Sequence, residues 1–327
     1  MLQARMIFVC FTLCFLNSVT SEYAPTGCDL TGGGTGKATC DFASWSPPLD
    51  EGDFGPGDVY QIIVENVDGT IPNQAFSGID DNKNTTKDTG IKFECTLENI
   101  LLSPEVFTPN LSWMKYLTFK NCYVQDGISS GMLSNMTGLE EFTVDGGIIG
   151  PLSSDVFSGL TNLVKIIINA DFLDADIPAG LFTSLSALQE IDLRSSGISS
   201  ISADTFTNLA LLTKIDLSEN SLTTLPEGMF TSLISLSTVE LGTNSWDCTC
   251  DLAWLSTWSL YTGVTIDVTC TTPAAYNGIP LSRVVASLGC ISSISSSNAS
   301  GSTSDSSSSG SSSSSGLYLV LNSISMT

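Results

Sequence analysis

The chain of 327 residues contains no histidine. That absence removes Ser-His-Asp and Cys-His catalysis, and with them every zinc site that needs an imidazole. Positive charge is scarce: 11 Lys and Arg stand against 34 Asp and Glu, a formal net charge of −23. Such a balance argues against nucleic acid or an anionic membrane surface as a partner. Charged residues make up only 14% of the chain, while 42% is hydrophobic, so apolar material for a core is not lacking. Long apolar runs are. The first one, Met6 to Leu16, is too short to span a bilayer comfortably.

With Arg5 ahead of it and the small residues Val19 and Ser21 behind it, that run reads as a secretory signal, residues 1–21, cleaved after Ser21. Cys10 and Cys14 leave with it. Eight cysteines remain: Cys28, Cys40, Cys95, Cys122, Cys248, Cys250, Cys270 and Cys290. An even set in a secreted chain is expected to form disulfides. N-x-S/T sequons begin at Asn84, Asn110, Asn135 and Asn298, and each is an expected glycosylation site in that compartment.

What the chain has in abundance is a repeated apolar pattern. In Leu212 to Cys250 the residues Leu212, Ile215, Leu217, Asn220, Leu222, Leu225, Phe230 and Leu233 fit L-x-x-L-x-L-x-x-N-x-L with a trailing Phe. Clear starts at Met114, Leu139, Leu163, Leu188, Leu212 and Leu236 recur at intervals of 24 or 25 residues. The Phe slot holds Phe157, Phe182, Phe206 and Phe230, with Leu133 in its place once. Two looser copies precede these, one built on Ile62, Val64 and Phe76, the other on Ile91, Phe93 and Phe107. The alternating pair in each copy predicts a short strand with one buried face. A single copy cannot bury its apolar side, so the copies must stack. The Asn slot is less regular and reads Cys122, Gly147, Asp171, Ser196, Asn220 and Asn244. Asp171 and Ser196 are expected to hydrogen-bond locally there; Gly147 has no side chain to do so.

The expected organisation is a signal over 1–21, an N-terminal cap over 22–58 and repeats over 59–243, about eight of them. A cysteine-rich C-terminal cap over 244–290, a Ser-rich stalk over 291–316 and a short apolar tail over 317–327 complete it. Cys28 and Cys40 bracket a Gly/Thr-rich turn suited to a bonded hairpin, and the polar stretch Asp80 to Thr89 is expected as an exposed loop. Cys95 and Cys122 fall one repeat apart near the strand ends and are expected to bond. The competing reading leaves Cys122 as a buried free thiol in the Asn slot. In the C-terminal cap the segment DLAWLSTWSL predicts a helix with Leu252, Leu255 and Trp258 inward, covering the last repeat's open core. The Cys-x-Cys pair with two later cysteines also fits a zinc site of four cysteines, which an oxidising compartment disfavours. A polar spacer followed by an apolar tail resembles a GPI signal, which would be the chain's one route to a membrane.

These motifs resemble extracellular leucine-rich-repeat proteins with a cysteine-rich C-terminal cap. Through NSWDCTC and the Ser-rich stalk the chain is similar to the variable lymphocyte receptors of jawless vertebrates and related receptors. It differs in having fewer cysteines ahead of the repeats and in lacking the long insertion between the second and third cap cysteines. The resemblance implies an α/β solenoid: a leucine-rich-repeat horseshoe with a parallel concave sheet and disulfide-bonded caps at both ends. It also implies bonds Cys248–Cys270 and Cys250–Cys290, and a role in extracellular recognition, immune-receptor-like in kind.

Stacked strands put their exposed residues in columns about 4.8 Å apart. One column reads Tyr116, Glu141, Lys165, Glu190, Lys214, Thr238, whose alternating signs are able to pair. The next reads Thr118, Thr143, Ile167, Asp192, Asp216, Glu240. Three adjacent acids repel by about 1 kcal/mol per pair in water, which points to a use other than stability; the alternative is that Arg194 and Lys214, diagonally close, relieve the repulsion and the row is plain surface. The expected ligand site is therefore the concave face centred on Asp192, Asp216 and Glu240. Ile167 supplies an apolar contact, and Arg194, Lys214 and Glu219 form a polar rim. The expected partner is an extracellular protein or glycan; the alternative is a structural or adhesive cell-surface protein. Enzymatic use of the paired acids is disfavoured on an open sheet with no cleft to exclude water, and no cofactor or metal is expected.

Overall fold

We describe the chain from a computed structural model, which describes residues 28–31, 36–44, 59–76, 89–108, 111–172 and 176–290. The expected signal, stalk and tail, most of the Asp80 to Thr89 loop, and the sequons at Asn84, Asn110 and Asn298 lie outside the described residues.

The alternating apolar pairs form strands, and the strands join in chain order into one ten-stranded sheet. They are β1 (Cys28–Thr31), β2 (Gly36–Asp41), β3 (Val59–Ile71), β4 (Gly90–Leu102), β5 (Tyr116–Val124), β6 (Glu141–Ile149), β7 (Lys165–Phe172), β8 (Glu190–Asp192), β9 (Lys214–Asp216) and β10 (Thr238–Glu240). β1 runs antiparallel to β2, Cys28 opposite Cys40, and these two are bonded with Cα atoms 3.9 Å apart. Every later pairing is parallel. The looser copies at β3 and β4 hold the same register as the rest, so that Ile62, Ile91, Leu117, Phe142, Ile166, Ile191, Ile215 and Val239 form one buried row.

Opposite the sheet, the Phe slot builds a second row. Phe157, Phe182, Phe206 and Phe230 stack at centroid spacings of 6.2–6.4 Å. Each buried ring contributes about 2–3 kcal/mol of transfer free energy. Leu133 interrupts this row, and aromatic residues of the strands fill the gap. Phe93 stacks on Phe119 at 5.1 Å, and Phe142 meets Phe157 edge-on at 5.2 Å.

The C-terminal cap closes the row. Helix α1 (Cys250–Thr262) buries Leu252 and Leu255 and brings Trp258 to 5.1 Å from Phe230. Trp254 joins it, with its ring 6.0 Å from Phe230 and its indole N–H donating to the Leu225 carbonyl at 3.2 Å. Asp267 accepts the Leu241 N–H at 2.8 Å, satisfying a donor just past the edge strand β10. The cap is tied by Cys248–Cys270 and Cys250–Cys290, the second reaching past helix α2 (Leu281–Leu288). Helices are confined to this cap among the described residues; the crossovers between strands are turns.

One slot differs from the sequence expectation. Asp171 pairs with Ile148 and is exposed, while Ala170 is buried in the position facing the Asn slot. Most coils place a residue of positive φ just ahead of the slot: Asn66, Asn121, Gly146, Ser195, Glu219 and Thr243, at 54–74°. Neither Glu94 nor Asn169, the residues ahead of Cys95 and Ala170, has positive φ. The coil of β7 turns with one residue fewer than that of β6, which moves Ala170 inward and Asp171 out, whereas the corner of β4 is longer, five residues from Glu94 to Asn99 against three from Lys120 to Tyr123.

Candidate functional site on the exposed face of the sheet

The register sorts the exposed face into rows. Glu141, Lys165, Glu190, Lys214 and Thr238 lie side by side. Lys165 and Lys214 approach Glu190 from either side, at 3.3 Å to Oε2 and 3.1 Å to Oε1. Burial pushes the Glu190 pKa up, but the hydrogen bonds and charges of these two lysines outweigh it and hold the carboxyl below its ordinary value. Lys214 is shifted upward, first by its hydrogen bond to Glu190, with the charges of Glu190, Asp192 and Asp216 adding to it. The alternating row is thus neutralised internally.

The neighbouring row runs Thr39, Ile63, Lys92, Thr118, Thr143, Ile167, Asp192, Asp216 and Glu240. The three acids of the expected site do stand on adjacent strands in one row, with half-buried Ile167 beside them. Two of them have a local role. Asp192 Oδ1 accepts the Arg194 N–H at 3.1 Å, and Asp216 Oδ1 accepts the Ser218 N–H at 2.9 Å and its hydroxyl at 2.6 Å. Each carboxylate therefore caps the end of its own three-residue strand, the competition with regular pairing that short polar side chains offer. Asn169, turned with its amide nitrogen toward these acceptors, reaches Asp192 Oδ1 at 3.0 Å and the Arg194 carbonyl at 3.2 Å.

The expected rim divides. Lys214 is engaged by Glu190, and Arg194 by Glu219, which also accepts the Ser195 hydroxyl at 2.6 Å. The Arg194 bond, then the Ser195 bond, hold Glu219 below the usual carboxylate range. Glu219 has φ 57°. Glu240 is exposed on the last strand. Asn169, Ser218 and Glu190 belong to the same constellation although the sequence reading did not place them in the site. The signal for Ser218 and the Arg194 N–H was available: an Asp two residues ahead of the group it caps, twice in succession. Among the described residues no group of three or more His, Cys, Asp or Glu is placed to hold a metal ion. No helix among them is long and apolar enough to cross a membrane.

Under the sheet, the Asn slot changes character along the chain. Asn220 Oδ1 accepts the N–H groups of Ser196 and Ile198, both at 3.0 Å, while its Nδ2 donates to the carbonyls of Leu193 at 2.8 Å and Leu217 at 3.0 Å. Asn244 repeats part of this, accepting from Leu222 N–H at 3.0 Å and donating to Leu217 O at 2.9 Å. Ser196 donates to the Ile168 carbonyl. Earlier in the chain the inward positions are Val67, Cys95, Cys122, Gly147 and Ala170, with Cys95 and Cys122 bonded across a Cα separation of 4.9 Å.

Comparison with known proteins agrees with this geometry. Residues 161–222 and 186–245 match the sequence model of a family described as leucine rich repeat. Among solved structures, human 5T4 (Wnt-activated inhibitory factor 1, Trophoblast glycoprotein) is similar with a TM-score of 0.57 at 20% identity, covering 79% of this chain and 96% of that one. At that identity the likeness is one of fold. No curated protein sequence matches the chain. Repeat pattern, strand register and fold likeness converge on one identification: the chain carries a leucine-rich-repeat solenoid with disulfide bonds near both ends.

Proposed function

We propose that the solenoid is an extracellular recognition module that binds a protein partner on the exposed face of its sheet, toward the C-terminal half. The observation that carries this reading is the row Ile167, Asp192, Asp216, Glu240: an apolar side chain followed by three acids on consecutive strands. Every hydrogen bond that Asp192 and Asp216 accept from described residues goes to Oδ1, and Oδ2 of each is then left for a partner. The nearest cations are committed to Glu190 and Glu219. A partner presenting Lys or Arg beside an apolar group fits this row, and attraction of that sign speeds encounter and weakens with salt. Four disulfides support an oxidising compartment. The cap motif's similarity to lymphocyte receptors supports a receptor-like role, secreted or held at the cell surface through the C-terminal tail.

The test is the secreted chain screened against arrays of extracellular proteins and glycans, with the Asp192→Asn, Asp216→Asn double variant beside it. Asn keeps the acceptor that caps each strand and removes only the charge, so thermal stability is expected to hold while binding and its salt dependence fall. Unchanged affinity and salt dependence in the variant would move the site off this row. Capture of a glycan with no protein would replace the partner class.

A further inference from the structure

We propose that the Cys95–Cys122 bond is a thiol-exchange site: a small-molecule thiol is captured on Cys95 as a mixed disulfide, and Cys122 stays behind as a thiol inside the coil. The two sulfurs stand in different surroundings. Cys95 is half-buried, whereas Cys122 is fully buried. A nucleophile arriving from solvent therefore meets Cys95 and not its partner.

Cys122 has a place to stay once the bond is broken. It occupies the slot that holds Ser196, Asn220 and Asn244 in the late coils. The backbone ahead of it turns in the same way, with φ of 54° at Asn121, 54° at Ser195 and 57° at Glu219. The carbonyls that face the slot are equivalent too. Asn220 Nδ2 donates to the Leu193 carbonyl of the preceding coil at 2.8 Å and to the Ser218 carbonyl, two residues back, at 3.1 Å. The Ser196 hydroxyl donates to the Ile168 carbonyl of the preceding coil and to the Arg194 carbonyl, again two residues back, at 3.3 Å. Cys122 Sγ lies 3.8 Å from the Phe93 carbonyl oxygen and 3.3 Å from that of Lys120. Phe93 and Ile168 belong to one row of the sheet, through Phe119 and Val144. An S–H at residue 122 would thus face the same pair of acceptors that the O–H of residue 196 uses, as a weaker donor.

On the attacked side the ladder is open. Thr96, Leu97 and Glu98 pair with neither β3 nor β5, and Thr96 is exposed. A group joined to Cys95 enters beside a corner without strand pairing. The other three bonds lack one condition or the other. Cys28–Cys40 and Cys248–Cys270 are buried at both ends. Cys250–Cys290 has an exposed cysteine, but it joins the start of α1 to the chain past α2, outside the coils. The step is an exchange and needs no oxidant. The thiolate sulfur bonds to Cys95 Sγ and the S–S bond to Cys122 breaks. The electron pair leaves on Cys122 Sγ, which takes up a proton.

The full chain is incubated, folded, with a mixture of reduced and oxidised glutathione, quenched in acid, unfolded and alkylated, and its peptides are weighed. Cys95 is expected to gain a glutathionyl group and Cys122 to be alkylated, with the far-ultraviolet circular dichroism unchanged. Cys122→Ser keeps a donor in the slot and removes the thiol that would displace the adduct, so Cys95 is expected to hold its glutathionyl group in that variant. Cys122→Ala empties the slot and is expected to unfold at a lower urea concentration than Cys122→Ser. A glutathionyl group on Cys122 in the wild type, or no adduct on Cys95 in folded Cys122→Ser, overturns the proposal. So do equal urea midpoints for the two variants, or failure of Cys122→Ser to fold. The mapping needs no partner, so each of these failures leaves the sheet-face reading standing.

Discussion

The early and late coils of this solenoid satisfy the same buried backbone in two ways. In β3 to β7 the strand continues past the slot and pairs again on the far side: Ile71 with Leu102, Val124 with Ile149, Ile149 with Phe172. N–H and C=O groups after the corner thus find partners in the next coil. In β8 to β10 the strand stops after three residues; single backbone bonds such as Ser195 N–H to the Ser218 carbonyl at 3.1 Å and Ser221 N–H to the Ile198 carbonyl at 2.9 Å continue past it, and side chains satisfy further groups, Ser196, Asn220 and Asn244 beneath the sheet and Asp192 and Asp216 above it. Buried backbone polar groups demand one solution or the other. The early coils carry Val67, Ala170, Gly147 or a disulfide in the slot, whereas the late coils carry Ser196, Asn220 and Asn244.

The sharpest way to break this contrast is Asn220→Ala. It orphans two buried N–H groups and the Leu193 carbonyl, while the Leu217 carbonyl keeps Asn244, and at about 1–3 kcal/mol per unsatisfied group the expected loss is about 4 kcal/mol in urea unfolding. A loss near that of an ordinary surface change would mean the late coils do not depend on the amide. Next in size is the Cys95→Ala, Cys122→Ala double variant. A bond with a sequence separation of 27 is expected to contribute about 3 kcal/mol, chiefly by restricting the unfolded chain. Two titratable thiols in the denatured, unreduced wild type would remove the bond from the argument altogether. Mild reduction sharpens the same comparison: protease is expected to cut the caps and the coil of Leu236 and Leu241 before the middle coils.

A smaller effect tests whether the two solutions can be exchanged. Placing the late-coil residue in an early slot, Gly147→Asn, is expected to destabilise by about 2 kcal/mol, because a side chain at positive φ costs energy. Gly147 has φ 86°, and a Cβ there would come within 2.2 Å of the Cys122 carbonyl oxygen. A neutral or stabilising outcome would show that the early coils use glycine by history and not by need.

Much of this fold was legible locally. The strand face, the Phe row and the covering helix each follow from spacing within one repeat, and Ile215, Leu217 and Phe230 would place them alone. Strand length was not legible, because continuation past the corner depends on pairing with the neighbouring coil and leaves no mark in a single repeat. The misplacement of Asp171 has the same origin: counting from Leu163 assumes a full turn, and the coil of β7 drops one residue. At the candidate site the columns were readable from register, but the caps made by Asp192 and Asp216 were not, since the reading considered only charges across strands and not the N–H two residues on.

The smallest expected effect concerns the seam between the two regions. Glu190 lies on the first short strand and bonds Lys165 on the last long strand and Lys214 on the next short one. Its pKa is lower in the folded chain than its ordinary value. A carboxylate depressed on folding contributes stability that is fully present above the unfolded value, about 4.3, and is lost as pH falls through the lower folded value. Wild type is therefore expected to exceed Glu190→Gln in stability at neutral pH, with the difference closing in acid below about 4. The pairs are partly solvent-accessible, with side chains 27–39% exposed, so the gap at neutral pH is expected to stay under about 1 kcal/mol and to shrink with salt. Guanidinium would screen it away, so the comparison belongs in urea. A gap that persists unchanged at low pH would mean that Glu190 holds the seam by packing and not by charge.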